Sequence, residues 1–447
     1  MLIIHRVIPG YVPSMQLPTD LFPATMTYYF LILLLINFLN GAYGNAQRST
    51  EERQLAENIN PNKYVKKSKL ESSLNISVPL HRLPYTPYYF HNVRIGNHDA
   101  FRLVISTHSS LLWVPHLDCT SVACLSRYGN GFNPHLSRSF VDLNSTFVSI
   151  DPLGNAKGIL GSDEVQVGDS RGRFQVSNLT FGLAMEMETN ELGEQHSGIV
   201  GLGLNDAEED TESYIETLVN REIIEEPVFT IWLNPDTSAS DQGFLTYGSN
   251  DNVHCGPIYD ALLMHLPTYT FSIKSLSMGD YNAGLYFKAE VDLGQMLYMP
   301  PAVASAIAHH ANAQYEPESN LYWIKCSAKF PDLILNVDHA IANETVRSSD
   351  LIIEVANIKN LCVLAVSGRN RPSFGPTLTL GAPFLRNYCA IFDLTSHNMR
   401  FAEALPYRSM NATNDATTTT MRATTFGNSC KLVFLNLLCA VLLLHSL

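Results

Sequence analysis

From Tyr88 onward, apolar residues come in short runs cut by Gly, Asn, Asp and Pro. Tyr89-Phe90-His91-Asn92-Val93-Arg94-Ile95 and Val148-Ser149-Ile150 are two such runs. Short β-favouring runs between turn residues predict many short strands, hence an all-β body. Helical stretches interrupt it at Glu212–Asn220 and Ala302–Ala313. Between residues 45 and 85 no apolar periodicity persists, and Lys63–Lys69 (KYVKKSK) is basic. That segment is expected to be a flexible, pro-segment-like lead and not a domain.

The two ends of the chain follow different rules. Tyr28–Leu39 is apolar but too short for a membrane span, and Ala42-Tyr43-Gly44 follows it with a small-x-small pattern. Residues 1–44 therefore read as a secretory signal region cleaved near Asn45, with Met26 an alternative start and an uncleaved signal anchor the alternative reading. At the far end, the Asn/Thr-rich stretch Asn411–Ser429 precedes a terminal apolar run, Leu432–Leu447. A small-residue site, a polar spacer and a terminal apolar tail make up a lipid (GPI) anchor signal. Attachment would fall among residues 414–416 or 427–429, and a plain tail anchor is the alternative. Residues 404–447 thus read as a stalk and anchor signal, and the mature protein as extracellular or held at the cell surface.

Composition narrows the rest. A chain of 447 residues exceeds one small core and suggests two lobes. A net charge of −13 argues against nucleic acid, whose phosphates call for Lys and Arg clusters. Cys119, Cys124, Cys255, Cys326, Cys362 and Cys389 form an even set in the body, as a secreted disulfide framework would, while Cys430 and Cys439 fall in the C-terminal signal. Their spacing lacks the tight pairs that zinc needs, and no metal or cofactor is expected. His309-His310 lacks H-E-x-x-H and reads as a surface pair. Sequons at Asn75, Asn144, Asn178, Asn343 and Asn411 fit a glycosylated surface.

The chain also echoes itself. Ser106–Pro115 resembles Asp292–Pro300: each follows an apolar strand and ends in an apolar-Pro step. Ile199-Val200-Gly201 follows the first and Leu378-Thr379-Leu380-Gly381 the second. A repeat on this scale implies two similar lobes with a cleft between them.

These residues resemble the pepsin-like aspartic proteases over nearly all of Tyr88–Ala402, with features similar to nematode members. YYFHNVRIG looks like the opening strand, and SSLLWVP, CTSVAC and FNPHLSRSF match the first lobe in order. GILGSDEVQVG looks like the strands after the flap, SGIVGLG like a support loop, and VDLGQMLYMP like the second catalytic loop. LTLGAPFLRNYCAIFDL looks like the closing support loop and strand. The resemblance implies a mostly β, bilobal fold, with an N-terminal lobe at 86–255 and a C-terminal lobe at 256–403. It also implies disulfides Cys119–Cys124, Cys326–Cys362 and Cys255–Cys389, although six cysteines alone allow about 15 pairings.

The family's chemistry uses two aspartates, one per lobe, that share a proton because close like charges cannot both ionise. Each lies in an Asp-Thr/Ser-Gly loop, where the hydroxyl ties the lobes and Gly permits close backbone approach. Here the first acid position holds Ser106, Thr107 is kept, and His108 replaces Gly. In the second loop Asp292 and Gly294 are kept and Leu293 replaces the hydroxyl residue. The position of the flap Tyr holds Asp151, while Trp113, which backs that Tyr in the family, survives. Thr107, His108, Ser109, Asp151, Gly294 and Gln295 are the expected cleft residues. Asp151 is expected to be solvated at a turn tip, and Asp292 to titrate as an ordinary carboxyl.

Ser106 carries no charge with which to hold a nucleophilic water. Losing one member of an acid–base pair removes a factor of roughly 10²–10⁴ in rate. The sequence therefore predicts an impaired or inactive protease homologue, a monomer that keeps a peptide- or protein-binding cleft. The competing reading is an active acid endopeptidase with an atypical site around Asp292. A structural or storage glycoprotein is a third. A new His108–Asp292 or Ser106–His108 pair is conceivable in chemistry, but Ser106 does not sit on a nucleophile elbow.

Overall fold

The computed structural model describes residues 76–82, 88–126, 131–189, 197–204, 212–237, 242–258, 262–264, 268–340, 342–355, 358–370 and 377–406. The expected signal region, residues 45–75 of the lead, the stalk and the anchor signal lie outside the described residues, as do Asn75 and Asn411.

Strands dominate, as the short apolar runs predict. A 14-stranded sheet, an 8-stranded sheet and a 4-stranded sheet account for the body among the described residues. The arrangement is bilobal and pepsin-like. In the first half, Tyr89–Ile95 pairs antiparallel with Phe101–Ser106, and the long strands Gly154–Asp169 and Gly172–Thr189 form a hairpin beside them. In the second half, Thr270–Met278 lies between Phe287–Val291 and Leu333–Val337. The largest sheet ties the halves together, because Tyr388–Asp393 pairs with Val228–Leu233, joining Ala390 to Ile231. One hydrophobic core runs through both halves, from Val78 and Phe181 to Phe384 and Phe401.

Three sequence expectations need adjustment. Ile76–Arg82, assigned to the flexible lead, is a strand of the largest sheet, paired with Gly243–Tyr247. Val78 and Leu80 are buried there, so a brief period-two pattern is enough once a partner strand covers it. The helix expected over Ala302–Ala313 spans Pro301–His310 and ends where Asn312 turns left-handed, with φ +58°. The helix expected over Glu212–Asn220 begins at Tyr214, because Ser213 and Glu216 form a capping box ahead of it.

The disulfides are Cys119–Cys124, Cys255–Cys389 and Cys326–Cys362, the pairing that the resemblance implies. Such bonds fit folding in the oxidising secretory pathway. Asn144, Asn178 and Asn343 are exposed, the first two at positive φ. Gly168-Asp169-Ser170-Arg171-Gly172 spells G-x-S-x-G, but it reverses the long hairpin and does not carry a strand into a helix.

Candidate active site

The two loops that the sequence echo singles out have the same backbone setting. Phe101–Ser106 runs parallel to Ile199–Gly201, placing Ser106 beside Gly201. Phe287–Val291 runs parallel to Leu378–Leu380, placing Val291 beside Leu380. Backbone bonds fasten each loop to its support: Leu202 N–H donates to Ser106 O at 2.8 Å, and Asp292 N–H to Leu380 O at 3.2 Å. Gly381 is obligatory in the second support, because a Cβ there would meet Gly294 O at 2.3 Å and Met296 O at 2.4 Å.

Ser106, Thr107, His108, Asp292 and Gly294 line one small cavity at the cleft floor, together with Leu153 of the flap. Its volume is about 20 Å³, room for about one water. The flap is the turn joining Val141–Ser149 to Gly154–Asp169. Its outer residue Ile150 is 79% exposed, but its next residue is not. Asp151 is 1% exposed, against the expectation of a solvated turn tip.

The reason is a hydrogen bond that crosses from loop to flap. Ser106 Oγ donates to Asp151 Oδ2 at 2.6 Å, and both residues are buried. The other oxygen of Asp151 accepts the Leu153 N–H at 2.9 Å, which closes the turn. Ser106 Oγ also accepts the His108 N–H at 3.1 Å. The serine hydroxyl is thus engaged on both sides, and a carboxylate from the flap stands next to the position where the family has its own acid.

Trp113 records the same exchange. Its ring is fully buried, and its indole N–H has no hydrogen-bond partner among the described residues. The resemblance places a flap Tyr against this ring. Asp151 is shorter, and it turns to Ser106 instead.

The lobes are tied at the loops by one hydroxyl. Thr107 Oγ1 donates to Val291 O at 3.1 Å, and Leu293, buried in the opposite position, has no hydroxyl to return the bond. A second link between lobes was not foreseen from sequence. His108 Nε2 lies 3.2 Å from Glu290 Oε2, and Thr379 Oγ1 donates to Glu290 Oε1 at 2.8 Å. Burial works against protonation of His108, but the Glu290 hydrogen bond and the charges of Glu290, Asp151 and Asp292 outweigh it. The imidazole is therefore held above its ordinary value. In sequence Glu290 alternates with Phe287, Ala289 and Val291 and shares a side with Lys288, so no signal there marks it as buried.

Asp292 keeps part of a catalytic carboxylate's setting: Gly294 N–H donates to its Oδ1 at 2.7 Å. A Cβ on Gly294 would crowd that oxygen at 3.0 Å. Ser109 Oγ and Gln295 Nε2 are buried without partners among the described residues, and neither lines the cavity. Arg369 and Tyr298, which the sequence reading did not select, line the cavity, with the guanidinium 3.7 Å above the ring. His108 pairs with Glu290 and not with Ser106 or Asp292, so neither rescue pair is assembled.

Comparison with known proteins agrees with this geometry. The family model for eukaryotic aspartyl proteases matches residues 88–404. Aspartic protease 6 of Caenorhabditis elegans is 29% identical over 329 residues, covering 71% of this chain and 82% of the relative. Napsin-A of Mus musculus is 28% identical over 335 residues, covering 72% and 78% respectively. Pregnancy-associated glycoprotein 2 of Bos taurus is 29% identical over 371 residues, covering 80% and 93%. A match over that span, with paired loops and supports in both lobes, makes the chain a member of the eukaryotic aspartyl protease family.

Proposed function

We propose that this chain is a proteolytically inactive or strongly impaired aspartic protease homologue, retained as a secreted or surface protein that binds a peptide or protein in its cleft. One observation carries the reading: the first acid position presents a hydroxyl, and that hydroxyl is bonded to the flap carboxylate at 2.6 Å. Amide hydrolysis on this scaffold needs two carboxylates that take and give a proton in turn. A serine hydroxyl ionises only far above any working pH and cannot take that part. The same bond ties the flap to the cleft floor, where the cavity is about 20 Å³. Main-chain pairing of an extended ligand along the cleft does not need the dyad.

Asp151 also supports a second reading. It brings a carboxylate to Ser106, and with Asp292 it could make a displaced pair in an active acid endopeptidase. Against this, both Asp151 oxygens are already engaged, one by Ser106 O–H and one by Leu153 N–H.

The test is hydrolysis of an unfolded protein substrate at pH 3–5 by the purified chain, beside Asp292→Asn and Asp151→Asn. The proposed function predicts turnover no higher than in the variants. Cleavage that disappears in both variants establishes the displaced pair instead. Membrane attachment through a C-terminal lipid, glycosylation at the exposed sequons and a monomeric state belong to the same proposal. Release from intact cells by phospholipase tests the anchor.

A further inference from the structure

Away from the cleft, a second cavity of about 320 Å³ opens beside the segment that follows strand Val228–Leu233. Its wall includes Asp236, Thr237, Arg347, Ser349, Asp350 and Arg386. Two arginines meet there, and their circumstances differ. Arg347 is half exposed, and its Nε donates to Asp350 Oδ2 at 2.8 Å. Asn387 Nδ2 donates to the same oxygen at 3.0 Å, so that oxygen takes two bonds and Arg347 matches the carboxylate's charge. Arg386 ends the short helix Ala382–Leu385 and is only 8% exposed. No described residue accepts a hydrogen bond from its guanidinium.

A guanidinium keeps its charge at every working pH and carries five N–H donors in a fixed fork. None of its nitrogens is both shut off from solvent and without a partner, so the fork keeps access to the cavity while the rest of the side chain is buried. The other acid in this wall is Asp236, which is exposed. With Asp350 held by Arg347, the donors this wall offers are the Arg386 guanidinium and the hydroxyls of Thr237 and Ser349.

We infer that this cavity is a binding site for a small oxyanion, with Arg386 as the buried anchor and Arg347 as its exposed neighbour. The ligand class is a phosphate, a sulfate or a carboxylate, free or carried on a small molecule. The planar fork of Arg386 suits two oxygens of such a group. The site is independent of the cleft and of whether the protein cleaves peptides.

The test is thermal unfolding of the purified protein at pH 7 and constant ionic strength, with chloride replaced stepwise by inorganic phosphate, sulfate or acetate. A ligand that binds only the folded state raises Tm in a saturable way. The expected result is a saturable rise of a few degrees with one or more of these anions over chloride, lost in Arg386→Met and weakened several-fold in Arg347→Gln. Which anion works separates tetrahedral oxyanions from carboxylates. In chloride alone, Arg386→Met should match or exceed the parent Tm, because the guanidinium donates no hydrogen bond to a described residue. Arg386→Lys keeps the charge without the fork and should retain a smaller shift. The inference is overturned if no anion outperforms chloride, if Arg386→Met responds like the parent, or if Arg386→Met is markedly less stable in chloride.

Discussion

The two cleft loops share a backbone and differ in their side chains. In both, a parallel strand pair feeds the loop, and the following strand pairs antiparallel with the same support: Leu112 with Val200 in one lobe, Tyr298 with Thr379 in the other. What separates them is where the acid comes from. In the second lobe Asp292 sits on the loop and is held by the Gly294 N–H. In the first lobe the loop offers Ser106, and the acid arrives from the flap as Asp151. Backbone closeness at Gly201, Gly203 and Gly381 leaves no room for a side chain, and those glycines are in place. The chemistry-bearing side chains face a cavity, where a substitution meets no such wall.

The largest effect should come from making the first loop like the second. Ser106→Asp alone would put two carboxylates within hydrogen-bond distance, because Asp151 already lies 2.6 Å from the serine oxygen. Close like charges disfavour ionisation of both. The informative variant therefore combines Ser106→Asp, His108→Gly and Asp151→Tyr, which also offers the orphaned Trp113 indole N–H a phenol oxygen. It should gain a factor of roughly 10²–10⁴ in hydrolysis of unfolded protein at pH 3–5 over the parent. A folded triple variant with no gain would show that the loops differ by more than their acids.

The next effect concerns working pH. His91 is fully buried, its Nδ1 lies 2.9 Å from Pro79 O, and its Nε2 has no partner among the described residues. Burial pushes its pKa down to about 3. A depressed histidine contributes stability that is complete above the unfolded value, about 6.5, and lost as pH falls toward the folded value. Across that window the loss is on the order of several kcal/mol, at about 1.4 kcal/mol per pH unit. The urea midpoint should therefore fall between pH 7 and pH 4, and His91→Gln should flatten the fall. Equal slopes in parent and variant would remove His91 as the cause.

The fold was legible because its signals are local and ordered along the chain. The strand runs, the loop echo and the cysteines each occupy a definite stretch, and the body follows from their sequence. The site was only partly legible. Ser106, His108 and Leu293 stand out by position alone, where the resemblance implies Asp, Gly and a hydroxyl residue. Asp151 lies 45 residues from Ser106, and only the flap's return over the loop joins them. A polar residue at a turn is usually solvated, and that prior failed because the Ser106 hydroxyl offered a buried partner. Glu290 falls with Lys288 on the polar side of the alternating strand Phe287–Val291, a position that reads as solvent-facing. Ile76–Arg82 was too short for its alternation to stand out from the lead.

A smaller effect tests the tie between the loops. Thr107 spans the lobes with one bond to Val291 O, and Leu293 cannot answer it. Thr107→Val removes the donor and leaves a buried carbonyl oxygen unpaired, which costs about 1–3 kcal/mol. The urea midpoint at pH 7 measures it. An unchanged midpoint would mean that the shared sheet alone holds the lobes and that the hydroxyl tether is dispensable.

The smallest effect belongs to the pair that occupies the place of the missing tether. His108 and Glu290 come from opposite lobes, and each replaces the other's solvent partner. The histidine pKa is raised, so this pair's stabilisation is fully present below the unfolded value, about 6.5, and fades as pH rises through the folded value. This direction is opposite to that of His91, so the two histidines bend the stability curve on different sides. The His108 side chain is 22% exposed, which lets solvent screen part of the attraction, and the effect should be about 1 kcal/mol or less. Glu290→Gln keeps an acceptor for Thr379 and removes the charge. It should lower the His108 titration midpoint, read by NMR of the ring protons, and flatten the loss of stability as pH rises above about 6.5. An unmoved midpoint would assign the raised pKa to Asp151 and Asp292 and leave Glu290 as a hydrogen-bond acceptor alone.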